Sequence, residues 1–430
     1  MSLKLFYCYA REDKLLREAL EVYLGNLKRQ GLIVAWHDSN INAGQLWIKE
    51  INDNLNEADI ILLLISPDFV HSDYCYSIEM KRALQRHENG TARVIPIILR
   101  QGDYAGAPFS KLQALPADDT SVTDRKWRNR DEAFTNVVQG IRKIVEELHC
   151  NKWISKGNEH LFREQCKEAL DAFEQAIYFN PDDGLAYVGK GQALLSMSNS
   201  EEALAAFTRA IELCPSNADA YVGKGTALYY DELGDINKDL ILDTYADAIL
   251  IDPRNEAAYI ARGNALMYYK DFEEALESYE QAIRVTVIPN RDVRKRKGDA
   301  LFHLGRYEEA IEVYDLCVKA GLKDEDIYIN IARTLFNIGN FEKAIDAYEQ
   351  ALTLNANKGQ TYLEIGDTYY QLKNYEKAID GYEQAIKFTP KNENSLLAQA
   401  YRGKGNVWQL LSQKSFEKAD ELDLFGDHPF

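Results

Sequence analysis

Long apolar runs are missing from this chain. The longest, Ile60 to Ile65, falls far short of the ~20 residues a membrane-spanning helix requires, so no membrane segment is expected. The opening residues, Met1 to Tyr7, have no apolar stretch followed by a small-residue cleavage site, so a secretory leader is not expected and a cytoplasmic location is. Cysteine is sparse. Cys8, Cys75, Cys150, Cys166, Cys214 and Cys317 form no CxxC and no paired spacing, which excludes a disulfide framework or a zinc ribbon. The seven histidines are as dispersed, with no HxH and no HExxH, and no metal is expected. Basic charge is also short: 50 Lys and Arg stand against 68 Asp and Glu, a net charge of −18. The deficit is uneven, −2 over residues 1–150 and −16 over the remainder. An acidic second part repels phosphate backbones, so direct binding of nucleic acid is disfavoured.

What is present is a chain of 430 residues, 46% hydrophobic and 27% charged, too long for one core and too apolar to remain disordered. From about residue 150 it repeats with a period of 34. Gly157, Gly191 and Gly225 mark the step, and Gly298, Ala332 and Gly366 continue it after two short insertions around Asp231 to Asp239 and near Val287-Ile288-Pro289. An aromatic stands four residues before each small residue, as at Trp153, Tyr187 and Tyr221. An alanine follows twelve later, as at Ala169 and Ala203, and a second aromatic four beyond that, as at Phe173 and Phe207. Proline closes several units, at Pro181, Pro215, Pro253 and Pro390. Small residues let paired helices approach, and aromatics fill the groove between neighbouring repeats. This pattern resembles the tetratricopeptide repeat. It implies an all-α superhelical solenoid over residues 150–430, of seven repeats and an irregular cap at Tyr401, Gly405 and Trp408, whose groove binds a protein or peptide partner.

Residues 1–149 alternate apolar runs with amphipathic helices. Strands are expected at Leu3 to Tyr9, Leu32 to Trp36, Asp59 to Ile65 and Arg93 to Leu99. Helices are expected at Asp13 to Arg29 and at about 46–57, 73–88 and 131–148. Unbroken apolar strands between helices imply an α/β parallel sheet covered on both faces.

Four motifs occur in order across these residues: Phe6-Tyr7-Cys8-Tyr9-Ala10; Trp36-His37-Asp38 with Ile41 and Gly44; Ala58 through Pro67; and Ser72-Asp73-Tyr74-Cys75 before Glu79. Together they resemble the bacterial TIR (Toll/interleukin-1 receptor) domain. The resemblance implies a flavodoxin-like fold over 1–149 and one of two roles. The first is an enzyme that cleaves NAD at the nicotinamide–ribose bond, with NAD as substrate and no other cofactor. The second is a non-catalytic scaffold that recruits other TIR domains. Bacterial proteins of this build serve, by the same resemblance, in defence against phage.

Enzymatic members carry a glutamate near the start of the third helix, four residues after an aromatic. Glu79 is the candidate catalytic residue here, although Cys75 occupies the fourth position before it and Tyr74 the fifth. On its residues alone Glu79 reads as a solvated side chain paired with Arg82 at i,i+3, and it is the resemblance that turns the reading to catalysis. Ligands in open α/β sheets bind beyond the carboxyl ends of the strands. Tyr9, Arg11 and Ser66 are therefore candidate substrate contacts, with a salt bridge from Arg11 to Glu12 or Asp13 as the alternative for Arg11, and the resemblance adds Tyr74 and Cys75, at or next to the place of the family's aromatic. Asp38, at a strand end, is a further candidate. Trp36 reads as core and His37 as a surface or loop residue. Ile41, Asn42, Ala43 and Gly44 match the family's BB loop, which implies self-association through the TIR domain. The GxxxxGK spacing of Gly184 to Lys190 reads as repeat glycines, because Gly191 stands where a phosphate loop needs serine or threonine.

Overall fold

The computed structural model describes residues 2–37, 47–117, 120–230, 238–286, 291–322 and 324–424. The chain forms two compact units, 1–197 and 198–430. Asp38, the Ile41–Gly44 loop and most of both repeat insertions (231–237 and 287–290) lie outside the described residues.

The first unit is built on four parallel strands, β1 (Leu3–Tyr9), β2 (Ile33–Trp36), β3 (Ile60–Ile65) and β4 (Arg93–Ile98), in the order β2-β1-β3-β4. Alternation along β1 divides its side chains between two cores. Leu3, Leu5, Tyr7 and Tyr9 meet α1 (Lys14–Tyr23), α2 (Gly25–Arg29) and α6 (Arg130–Phe162) on one face. Phe6, Cys8 and Ala10 meet α3 (Trp47–Glu57), α4 (Pro67–His71) and α5 (Met80–Glu88) on the other. Every residue of β3 is buried, as an interior strand covered on both faces must be. Full burial of each such side chain contributes roughly 1.5–3 kcal/mol.

Two helices depart from the sequence pattern. The stretch from Asp13 to Arg29 breaks at Leu24, where Gly25, a weak helix former, follows. The last helix of the α/β domain does not end near 148. Helix α6 runs for 33 residues, capped at its start by the Asn129 side chain accepting the Glu132 N–H. Its first half lays Ala133, Phe134, Val137, Ile141 and Val145 on the sheet, and its second half carries Gly157, the first repeat glycine. The boundary expected between 149 and 150 falls inside this one helix, so no linker separates sheet from repeats.

Two more helices complete the first unit, α7 (Cys166–Phe179) and α8 (Gly184–Ser196). Phe173 on α7 is wedged between glycines. A Cβ on Gly157 would lie 2.7 Å from its ring, and one on Gly189 2.1 Å. Only hydrogen fits on either side, which is why small residues recur at these steps. Among its described residues the second unit has helices alone, from α9 (Ser200–Leu213) to α20 (Asn394–Leu424), and it repeats the device: Tyr382 is held the same way between Gly366 and Gly403. The aromatic therefore packs within its own repeat as well as against the next. Helix α20 spans 31 residues and carries Tyr401, Gly405 and Trp408, the residues of the expected irregular cap.

Candidate active site

The order β2-β1-β3-β4 reverses direction at β1 and β3, and a crevice opens where the loops leaving these strands diverge. A cavity of about 370 Å³ occupies it, a volume suited to a small organic ligand. Tyr9 ends β1, with Arg11 and Glu12 after it, on one side; Asp68, His71 and Ser72 follow β3 on the other; Trp36 ends β2; and Tyr74, Cys75 and Glu79 come from the turn before α5.

The loops are tied together beneath the cavity by one buried carboxylate. Asp13, 1% exposed, accepts from the Ser66 hydroxyl and from Arg100 Nε at 2.9 Å. Arg100 also pairs with Asp68, so the ends of β1, β3 and β4 are cross-linked. Ser66 accepts in turn from the Phe69 N–H at 3.0 Å and caps α4, with Pro67 at the helix start. Ser66 is thus a correction to the candidate substrate contacts: fully buried and committed to Asp13 and the cap, it does not line the cavity. Because Asp13 is occupied by Arg100, Arg11 stays exposed at the mouth, with no ion pair among the described residues.

Glu79 is 6% exposed, which overturns the solvated reading, and Arg82 instead donates to Asn52 Oδ1 at 3.0 Å. The Cys8 thiol donates to Glu79 Oε2 at 2.8 Å, and the Cys75 thiol donates to the Tyr9 carbonyl at 3.4 Å. Burial first, then the neighbouring Cys75 and Glu79, push the Cys8 thiol well up, so Cys8 stays a protonated donor. Burial and then the Glu79 charge push the Tyr74 phenol up to about 12.

The spacing anomaly before Glu79 has a structural cause. Cys75–Glu79 form a π-helical turn in which the Met80 N–H bonds the Cys75 carbonyl five residues back. An i→i+5 ladder brings residues five apart over one another, as an α-helix does for residues four apart. Tyr74 thereby takes the place beside Glu79 that a residue at i−4 would hold in an α-helix, and both line the cavity. Cys75 lines it too, its thiol turned to the strand backbone.

Trp36 is half-buried: it packs against the core by stacking on Phe6, with ring centres 5.2 Å apart and planes 14° apart, and its other side forms a wall of the cavity. His37 leans to the other face of the sheet, its Nε2 3.6 Å from the Glu21 carboxylate. Sequence reasoning missed Cys8 and the Asp13–Arg100 tie. Alternation along β1 could have found the first, since it sets Cys8 on the face that receives α5. Nothing local signals the second, whose partners are 87 residues apart. The GxxxxGK stretch lies in α8 with Gly189 pressed on Phe173, and makes no phosphate loop. No group of three His, Cys, Asp or Glu side chains among the described residues is arranged to hold a metal ion. No helix among them is long and apolar enough to cross a membrane.

Fold and cavity together define a flavodoxin-like α/β domain with a ligand-sized site at its topological switch point, continued by helical repeats. In sequence, residues 5–135 match the TIR domain family, and residues 154–218, 188–232, 260–322 and 324–391 match tetratricopeptide repeat families. The chain carries a TIR domain followed by tetratricopeptide repeats. Among curated proteins it is similar to y4lF of Sinorhizobium fredii, described as uncharacterized, at 50% identity over 140 residues. That match covers 33% of this chain and 43% of the relative, less than half its length. Similar solved structures include a tetratricopeptide repeat protein from Parabacteroides merdae, 17% identical with a TM-score of 0.44, covering 59% of this chain and 99% of that one. Another is pilF of Pseudomonas aeruginosa, 19% identical with a TM-score of 0.43, covering 49% of this chain and 94% of that one.

Proposed function

We propose that the TIR domain cleaves NAD at the bond between nicotinamide and ribose, with Glu79 as the catalytic carboxylate. The observation that carries this reading is a buried carboxylate, held by a thiol, in the wall of a cavity at the sheet's switch point. The pyridinium of NAD is cationic, and breaking its C1′–N bond returns the electron pair to nitrogen. Nicotinamide thus leaves as a neutral base and no general acid is required. Positive charge gathers on the ribose ring as the bond lengthens. A fixed carboxylate beside it binds the transition state more strongly than the substrate. Glu79 also accepts from the ribose hydroxyls, Tyr74 and Trp36 offer ring faces to nicotinamide, and Arg11 at the mouth meets the diphosphate. Water then adds at C1′ and gives up its proton, yielding ADP-ribose; attack by the adenine ring instead yields the cyclic product.

The remainder of the proposal concerns control. The repeats bind a protein or peptide partner, TIR domains associate with one another, and the continuous helix α6 carries changes in the first repeat to the sheet. Cytoplasmic depletion of NAD in defence against phage is the role such a device serves. The test is release of free nicotinamide from NAD by the purified full chain across a range of protein concentrations. Release that rises more than linearly with concentration supports the reading together with assembly control. Absence of release at every concentration, crowded or not, refutes catalysis and favours the scaffold.

A further inference from the structure

Cys8 takes no part in the bond-breaking steps above, and its contact with Glu79 has been given no role in them. It is fully buried in β1, does not line the cavity, and directs its thiol at Glu79 Oε2 from 2.8 Å behind. Its neighbours in the strand are apolar and well packed, so a hydrophobic residue would serve the core as well. A carboxylate set among Phe6, Ile51 and Trp36 needs a donor on its inner side, since a buried polar atom left without one is costly and free to turn. We infer that Cys8 is a positioning residue of the site: its S–H holds the rotamer of Glu79, so that the carboxylate faces the cavity with its charge presented to the sugar. This inference rests on the proposed NAD cleavage.

A thiol suits the task because it is a weak donor. It orients the carboxylate while withdrawing little of the charge that must act on the ribose, where a guanidinium would neutralise it. The contact is supplied by backbone geometry alone. Cys8 lies one residue before the end of β1, and its register opposite Leu63 of β3 fixes the distance to the π-helical turn. Cys75, the second thiol of the cluster, donates to the Tyr9 carbonyl, lies in hydrogen-bonding contact with Cys8 and steadies the same turn against the same strand.

The test separates donor from volume. Cys8→Ser keeps a donor, Cys8→Val fills the space without one, and Cys8→Ala does neither. With folding checked by circular dichroism, Cys8→Ser is expected to keep kcat for nicotinamide release within about threefold. Cys8→Val and Cys8→Ala are each expected to lose about tenfold in kcat, with KM changed less than about twofold, because Cys8 does not touch substrate. Removing a hydrogen bond to the charged form also raises the carboxyl pKa, so the acid limb of the kcat profile should move to higher pH in Val and Ala but not in Ser. A second readout needs no turnover: the infrared S–H band of Cys8, assigned as the band lost in Cys8→Ser, should shift to higher frequency in Glu79→Ala. If Ser falls with Val and Ala, or if all three match the parent in kcat and pH profile, the positioning role is overturned. An S–H band unmoved by Glu79→Ala overturns it as well. If the parent chain releases no nicotinamide while the band still responds to Glu79→Ala, NAD cleavage fails and the Cys8–Glu79 contact stands.

Discussion

Replacing Asp13 by alanine tests how the site is held open. Asp13 accepts from the Ser66 hydroxyl, from Arg100 Nε at 2.9 Å and from Arg100 Nη2 at 2.8 Å. Breaking a fully buried ion pair from one side costs ~3–5 kcal/mol. The Arg100 side chain is 35% exposed and keeps Asp68, so water and the remaining partner recover part of this. A local loss of ~2–3 kcal/mol is left. At tenfold per 1.4 kcal/mol, amides that exchange through opening of these loops should exchange roughly 30- to 150-fold faster. The assay is hydrogen exchange read by mass spectrometry on peptides covering residues 9–14, 64–72 and 98–102 of the full chain. Asp13→Asn keeps an acceptor for Ser66 and loses the charge facing Arg100, so about half the effect is expected. Unchanged exchange in all three segments of Asp13→Ala would show that packing alone sets the strand ends, and the account of the cavity walls would fall.

Two further predictions concern buried titrating groups. His149 stacks on Phe179 at 4.7 Å and places Nε2 3.0 Å from the Leu32 carbonyl, and burial lowers its pKa from 6.5. The unfolded chain then takes up the proton first, so the stability of the first unit should hold above about pH 6.5 and decline as pH falls below it. His149→Phe should flatten that decline in denaturant titrations at several pH values, and an identical slope in parent and variant would refute the assignment. Asp299 accepts from Tyr314 at 2.7 Å and Asn330 at 2.8 Å, yet burial raises its carboxyl pKa above 3.8. A raised carboxyl contributes fully below its unfolded value and loses that contribution as pH rises through the folded one. Asp299→Asn should therefore raise the melting temperature at pH 7, with the gain shrinking toward pH 4, and a variant less stable at pH 7 would show that its hydrogen bonds outweigh burial of the charge.

Much of this was legible in the sequence because it is periodic. Strand runs such as Ile60 to Ile65 and the 34-residue step are local patterns, and the glycine–aromatic contacts that cause the step, Gly157 and Gly189 on Phe173, lie at fixed offsets. Tyr9, Arg11, Tyr74, Cys75 and Glu79 all line the cavity because strand ends and the helix after β3 converge by topology. What escaped was set by three-dimensional partners. Ser66 looked like a free strand-end hydroxyl, and only the fold brings Asp13 beneath it. Nothing before Glu79 announces a π-helical turn, so whether Tyr74 or Cys75 stands beside it could not be read from the spacing. That one helix runs across 149/150 was not visible, because α6 changes partners, not helical periodicity, on passing from sheet to repeat.

The central claim is that the Glu79 carboxylate drives cleavage of NAD, and the most direct measurement is nicotinamide release by the parent chain beside Glu79→Gln, matched in concentration and in circular dichroism. Glutamine keeps the shape and an acceptor oxygen but removes the charge that opposes the developing cation, so a loss of at least ~100-fold in kcat with folding intact is predicted. Release by Glu79→Gln within a few-fold of the parent would contradict the account.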